Sequence, residues 1–438
     1  MVTRNHFLLV HSYNAMFTVI KFNLSYKGVK SMLTSLSLIF LLGLAMAAVC
    51  TQIKLPSIIG MLITGIIIGP YALNLLDPSI IEMSSDLRKV ALVIILIKAG
   101  MSFDLKDLKK VGRPALLMAF LPAVFEITAF VVLSPYVLGI SRLEGAVIGS
   151  ILGAVSPAVV VPKMVQLIED EYGTEKGIPQ MILTGASLDD VFNIVLFSTF
   201  AAMAKGGSSG VSDFLNIPIS IVLGIAVGFA VGFSLYKFFE ICYNHNKKIR
   251  NSTKVIILLA VALMLTSLET ILSDRVPFSG LLAVVSMACI VRMKSNREVV
   301  SRLTQKFGKL WIAAEVVLFV LVGAAIDFRY AVQAGAGVAV MIFVSLAFRC
   351  LGVWICLVKT KLSVKERLFC TIAYLPKATV QAAIGSVPLA MGLACGELAL
   401  TVAVTAIVIT APLGALGMDM TYKRLLSQKA KSEFTKKN

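Results

Sequence analysis

Apolar runs of about 20 residues recur from residue 32 to residue 420, parted by short polar connections. Each run is long enough to cross roughly 30 Å of hydrocarbon as a helix. The pattern predicts thirteen spanning helices, near 32–50, 55–75, 86–103, 112–135, 141–162, 179–203, 215–240, 253–272, 277–292, 306–327, 331–358, 366–393 and 397–420. So many runs exclude a signal peptide or a single anchor. The expected fold class is an all-α polytopic membrane protein with its membrane domain over 32–420. Residues 421–438 read as a polar, basic tail. Residues 1–31 hold Arg4, Lys21, Lys27 and Lys30 around a moderately apolar stretch, 7–20. A fourteenth weak helix, an interfacial segment and a later true start all fit them.

Composition agrees: 58% of residues are hydrophobic and only 15% charged, against about 25% charged in soluble domains. The formal net charge of +17 would point to nucleic acid in a soluble chain. Here the basic residues cluster in alternate connections, as topology requires. One set of connections, beginning with Lys54 and ending with the tail, holds 28 Lys and Arg; the other set holds six. The first set is expected to be cytoplasmic, which puts the C-terminus inside an inner or plasma membrane. The seven cysteines form no CxxC pair and fall mostly in or beside apolar runs; they read as small buried side chains. The three histidines are scattered, which argues against a histidine metal site. No cofactor and no enzymatic activity are expected.

Ionisable groups inside apolar runs carry the functional signal, because a charge at bilayer depth costs several kcal/mol. Lys98, Glu126, Asp189, Asp190, Glu315, Arg349 and Lys377 are such groups. Asp189 and Asp190 sit mid-run in TGASLDDVFNIVLF. Adjacent helical residues point about 100° apart, so the two acids are expected to do different jobs. Asn193 shares their face. Glu126 and Arg349 each need an opposite charge and fit each other; arginine suits a permanent pair because it is effectively never deprotonated. A direct part in ion binding stays open for both. Lys98 and Glu315 fall nearer helix ends, where snorkelling is one reading.

Two runs carry breakers. The fifth reads GAVSPAVVVP, with Pro157 and Pro162; the twelfth reads YLPKATVQAAIGSVP, with Pro376 and Pro388. Proline frees carbonyls, which a membrane tolerates only where other groups or water meet them. Interrupted helices supply ends that coordinate ions, and Lys377 can neutralise a carbonyl end. The breaks lie on runs five and twelve, and Glu126 and Arg349 on runs four and eleven. Each pair is seven helices apart, so equivalent helices run in opposite directions. That is an inverted-topology repeat, runs two to six against nine to thirteen.

GMLITGIIIGP (60–70), GAVSPAVVVP (153–162), GASLDDVFNIVLF (185–197) and YLPKATVQAAIGSVPLA (374–390) together resemble the cation:proton antiporter superfamily, most of all its NHA-type sodium/proton antiporters. The resemblance covers roughly 32–420. It implies a homodimer and a core domain, about 86–203 and 306–393, that moves against a dimer domain formed by the rest. It implies that Asp190 binds Na+ or Li+ and the competing proton, that Asp189 assists, and that Ser156 and Thr379 lie beside the ion. It matches Glu126 and Arg349 to an ion pair of that branch. One departure is Arg349 itself. Many double-aspartate antiporters carry a lysine there, linked to moving two protons per sodium, and arginine does not release a proton readily.

The expected activity is exchange of Na+ or Li+ for H+ by alternating access. Proton and cation compete for one carboxylate, so transport switches on as pH rises through that acid's pKa. A potassium/proton antiporter and an organic-anion/sodium symporter of the same fold are the near alternatives. An intramembrane aspartyl protease needs two acids facing each other from different helices, which neighbouring aspartates do not supply. A channel would show conductance without coupled exchange.

Overall fold

A computed structural model of the chain describes residues 31–53, 55–102, 105–206, 211–245, 249–272, 278–326 and 328–428. The reading of residues 1–30 and of the last ten residues of the tail lies outside them. Helix occupies each of the thirteen predicted segments. We name them α1 Met32–Gln52, α2 Ser57–Ile68, α3 Ser84–Ser102, α4a Leu105–Met118, α4b Leu121–Val137, α5a Arg142–Leu152, α5b Pro157–Glu169, α6 Ile178–Gly206, α7 Val211–Asn244, α8 Asn251–Leu272, α9 Gly280–Lys294, α10 Arg297–Ala324, α11 Phe328–Cys356, α12a Val364–Ala373, α12b Thr379–Ile384, α12c Val387–Ala390 and α13 Gly396–Leu425. Among the described residues, nine spans are long and apolar enough to cross a membrane. The chain is a multi-pass membrane protein.

The surface inverts the soluble pattern. Leu33, Val222, Ile256 and Met264 are exposed, while Glu126, Asp189, Arg349 and Lys377 are fully enclosed. Lipid supplies no hydrogen bonds, so polar groups turn inward to find partners.

Several boundaries differ from the sequence reading. The second helix stops at Ile68, ahead of Pro70, and the chain turns through Asn74 at φ 48°. The fourth is two helices, and Gly112 inside the first adopts φ 75°, which a residue without Cβ takes at little cost. The expected tail starts as helix: α13 runs to Leu425, and Gln428 then pairs with Tyr172 in an isolated bridge.

The two broken helices have matching local designs. α5a opens with a capping box, Ser141 and Glu144; α12a opens with another, Ser363 and Glu366. In each, serine caps the third amide and glutamate reaches back to the serine amide. Each then stops after 11 or 10 residues, ahead of Pro157 and Pro376 respectively. The two lie seven places apart in the helix order.

Helix packing falls into two groups. α4b lies against α5a and α11, α6 against α4a, α5a and α5b, and α12a against α13. In the second group α2 packs on α1 and α10, and α3 on α9 and α10, with α7 against α9. The α2–α10 crossing is close: a Cβ on Gly65 would lie 2.0 Å from the Val320 carbonyl oxygen. The sequence reading put α3 and α10 with the core helices. α3 packs mainly on α9 and α10, and α10 on α2 and α3. They meet the first group through α6 and α12b.

Candidate ion-binding site

The two breaks cross. The Ser156 amide donates to the Pro376 carbonyl at 2.8 Å, and the Thr379 amide approaches Ser156 Oγ at 3.5 Å. α13 supports the crossing from behind. Thr410 Oγ1 accepts the Lys377 amide at 2.9 Å, and Gly414 leaves room for the Pro376 ring, which a Cβ would meet at 2.2 Å.

Arg349, from the C-terminal half of α11, reaches four acceptors with no exposure to solvent. Its Nε donates to the Tyr374 carbonyl at 2.7 Å, and Nη1 to Glu126 Oε2 at 2.9 Å and to the Gly153 carbonyl. Nη2 donates to Asp189 Oδ2 at 3.0 Å. The planar fork of donors suits this bridging as an ammonium would not. Lys377 Nζ donates to the same Glu126 oxygen at 2.6 Å and to the Leu152 carbonyl. Glu126 is therefore shared between two cations, one more than the sequence reading assigned it.

Both oxygens of Asp189 are engaged. Its Oδ2 accepts from Arg349 and, at 2.7 Å, from the Val155 amide inside the first break; Oδ1 accepts from Asn193 Nδ2 at 3.0 Å. Asn193 also donates to the Asp189 carbonyl at 2.8 Å, so this asparagine serves Asp189. Asp190 points elsewhere. It is 6% exposed, and its Oδ1 is buried with no hydrogen-bond partner. Asn193 Oδ1 and Thr379 Oγ1 are likewise buried and unpartnered. Buried polar atoms in folded proteins are nearly always paired, so each such orphan asks for an explanation.

The break carbonyls are not free. Those of Ile151, Leu152 and Ala154 accept from Gln381 Nε2 at 3.1, 3.4 and 2.8 Å. With Arg349 on Gly153 and Lys377 on Leu152, every carbonyl from 151 to 154 meets a protein donor. The helix carbonyls at this end are thus already engaged, and the unpartnered oxygens named here belong to side chains. Gln381 was missed in the sequence; a polar residue four positions after Lys377 in a broken apolar run was the available signal.

Lys98 and Glu315 do not snorkel separately. They face each other from α3 and α10, each the other's leading charged neighbour, and Lys98 also lies within electrostatic reach of Asp190. Lys98 Nζ sits 5.7 Å from the centre of the Trp311 ring, one turn before Glu315.

Comparison with known proteins agrees with this architecture. The family described as sodium/hydrogen exchanger, transmembrane, matches residues 36–421. Human sodium/hydrogen exchanger 9B2 is 32% identical over 384 residues, covering 85% of this chain and 70% of that protein. Human sodium/hydrogen exchanger 9B1 is 31% identical over 396 residues, covering 85% and 73%. Among solved structures, the sodium proton antiporter MjNhaP1 of Methanocaldococcus jannaschii superposes with a TM-score of 0.74 at 20% identity, over 93% of this chain and 99% of that one. That likeness shows the fold. Together with the crossed breaks and the enclosed charges of α4b, α6, α11 and α12, these matches establish that the chain belongs to the sodium/hydrogen exchanger family.

Proposed function

We propose that the protein exchanges Na+ or Li+ for H+ across the membrane by alternating access, with cation and proton competing for Asp190. The observation that carries this reading is the contrast on α6: both Asp189 oxygens accept protein donors, while Asp190 keeps a buried carboxylate oxygen without a partner. A buried carboxylate needs a compensating partner, and a proton or a small hard cation can supply one in turn. Thr379 and Ser156, at the crossing, and Asn193 supply neutral oxygens within the same region.

Charge balance supports a one-for-one exchange. Glu126 and Asp189 are matched by Arg349 and Lys377. Lys98 is matched by Glu315. Asp190 is the residue left over, so one monovalent ion neutralises the site. Arginine at 349 holds its charge through the cycle.

The helix groups suggest the moving parts. α4, α5, α6, α11, α12 and α13 form the unit that carries the ion, and it slides against α1–α3 and α7–α10, which form the dimer contact of a homodimer. The excess of basic residues in one set of connections supports a cytoplasmic C-terminus. Proton flux in liposomes reports on the reading: sodium or lithium should dissipate an imposed pH gradient, and Asp190→Asn should not. A response to potassium alone would make the protein a potassium exchanger, and a response to none would overturn the proposal.

A further inference from the structure

The C-terminal end of α5a poses a problem that the exchange site must solve. A helix leaves its last carbonyls without intrahelical donors, and in a membrane no water reaches them. Beyond Gly149, which accepts from the Gly153 amide, the carbonyls of Ile151, Leu152, Gly153 and Ala154 face the crossing. Arg349 covers Gly153 and Lys377 covers Leu152. Ile151 and Ala154 depend on Gln381, which also shares Leu152. Gln381 is fully buried, and only its NH2 can donate; three carbonyl acceptors fix which way the amide points.

We infer that Gln381 is a positioning residue of the exchange site: its amide holds the 151–154 segment in place, so that the Val155 amide meets Asp189 and Ser156 meets the start of α12b. This rests on the exchange reading above. Arg349 and Lys377 are both engaged with carboxylates, so their hold on the break depends on the ionisation around them. The amide of Gln381 carries no charge and gives the same two donors at every pH. The break thus keeps its shape while Asp190 loads and unloads. The same capping keeps the carbonyl dipoles away from the cation, which leaves Asp190 to decide binding.

Titratable groups surround α12b. Lys377 lies in the break just before it, and Glu126, Asp189, Asp190 and Arg349 lie across the crossing. Lys98 and Glu315 come from the packed α3 and α10; α5a and α13 bring Glu144 and Glu397, both in first turns. The test therefore needs a pH profile that distinguishes a new titration from theirs.

Gln381→Glu supplies that profile. When protonated, glutamate still donates once to a carbonyl; when ionised it donates nothing and repels the helix end. Sodium-driven proton flux in liposomes should match the parent within about twofold at the acid end of the active range, on the scale of one lost hydrogen bond. It should collapse at alkaline pH, where the parent is most active. Gln381→Leu should raise the apparent KM for sodium about tenfold, the scale of one or two hydrogen bonds, with a smaller change in maximal rate. Gln381→Glu keeps a donor and fills the same volume, so the test does not depend on Gln381→Leu folding. A parent-like pH profile in Gln381→Glu, or a uniform loss at all pH values, overturns the inference and leaves the exchange reading intact. No flux from the parent overturns both.

Discussion

Asp189 and Asp190 are neighbours on one helix with the same side chain, and they sit in opposite environments. Asp189 is built into the frame. It joins α6 to α11 through Arg349 and to the first break through the Val155 amide. Asp190 lies within electrostatic reach of Lys98 on α3, and one of its oxygens has no partner. The difference shows how a membrane protein keeps several charges buried and still has one available. Four of them neutralise each other and hold the breaks together, and the fifth keeps the unpartnered oxygen on which the proposed exchange rests.

Removing a member of the frame should cost far more than removing the open acid. Arg349→Ala would strip both Asp189 and Glu126 of a partner at full burial. Breaking a buried pair in this way costs about 3–5 kcal/mol. We expect a large fall in thermal stability in detergent and little folded protein. Asp190→Asn, in contrast, should hold or raise the melting temperature, because it removes a buried charge. Equal melting temperatures for the two variants would erase the distinction between them.

Gly153→Ala sharpens the same comparison without touching a charge. The added Cβ would lie 2.0 Å from Asn193 Oδ1. Asn193 must then move from Asp189, a strain of about 1–3 kcal/mol. The expected outcome is a loss of up to about tenfold in apparent sodium affinity, read from flux at graded sodium. Unchanged affinity would place Asn193 outside the site.

At the rim of α5b, Lys163 pairs with Asp419 of α13 and lies 4.1 Å from the Tyr422 ring centre. Asp419 is 46% exposed, and partly exposed pairs contribute about 0–1 kcal/mol. Asp419→Asn should shift the melting temperature by a few degrees at most and leave exchange unchanged. A collapse of transport would show that the rim, and not the buried frame, holds α5b. The smallest effect expected is that of membrane potential. If one ion replaces another at Asp190, a potential imposed with potassium and valinomycin should change the rate by less than about twofold, since no net charge crosses the field. A steep dependence would mean that a second group, with Lys377 first in line, also carries a proton.

Much of this frame was visible in the sequence because charge in an apolar run is so costly. The prolines of the fifth and twelfth runs marked the breaks, and the paired acids marked α6. What the sequence did not reveal was who bonds to whom. Lys377 meets Glu126 across 251 positions, a contact that only the crossing of α5 and α12 creates. Lys98 and Glu315 looked like separate residues near helix ends because the packing of α3 on α10 leaves no local trace. Gln381 escaped notice for a different reason. It is uncharged, and its role appears only when each freed carbonyl of the break is assigned a donor. The packing of α3 on α9 and of α10 on α2 was also hidden, since apolar helix faces do not announce their partners.

The most direct test of the central claim compares sodium-driven proton flux in liposomes for the parent, Asp189→Asn and Asp190→Asn, each with its melting temperature. The account predicts flux from the parent and none from Asp190→Asn in a fully folded protein, while Asp189→Asn loses flux together with stability. A folded Asp190→Asn that still couples sodium to protons would contradict it.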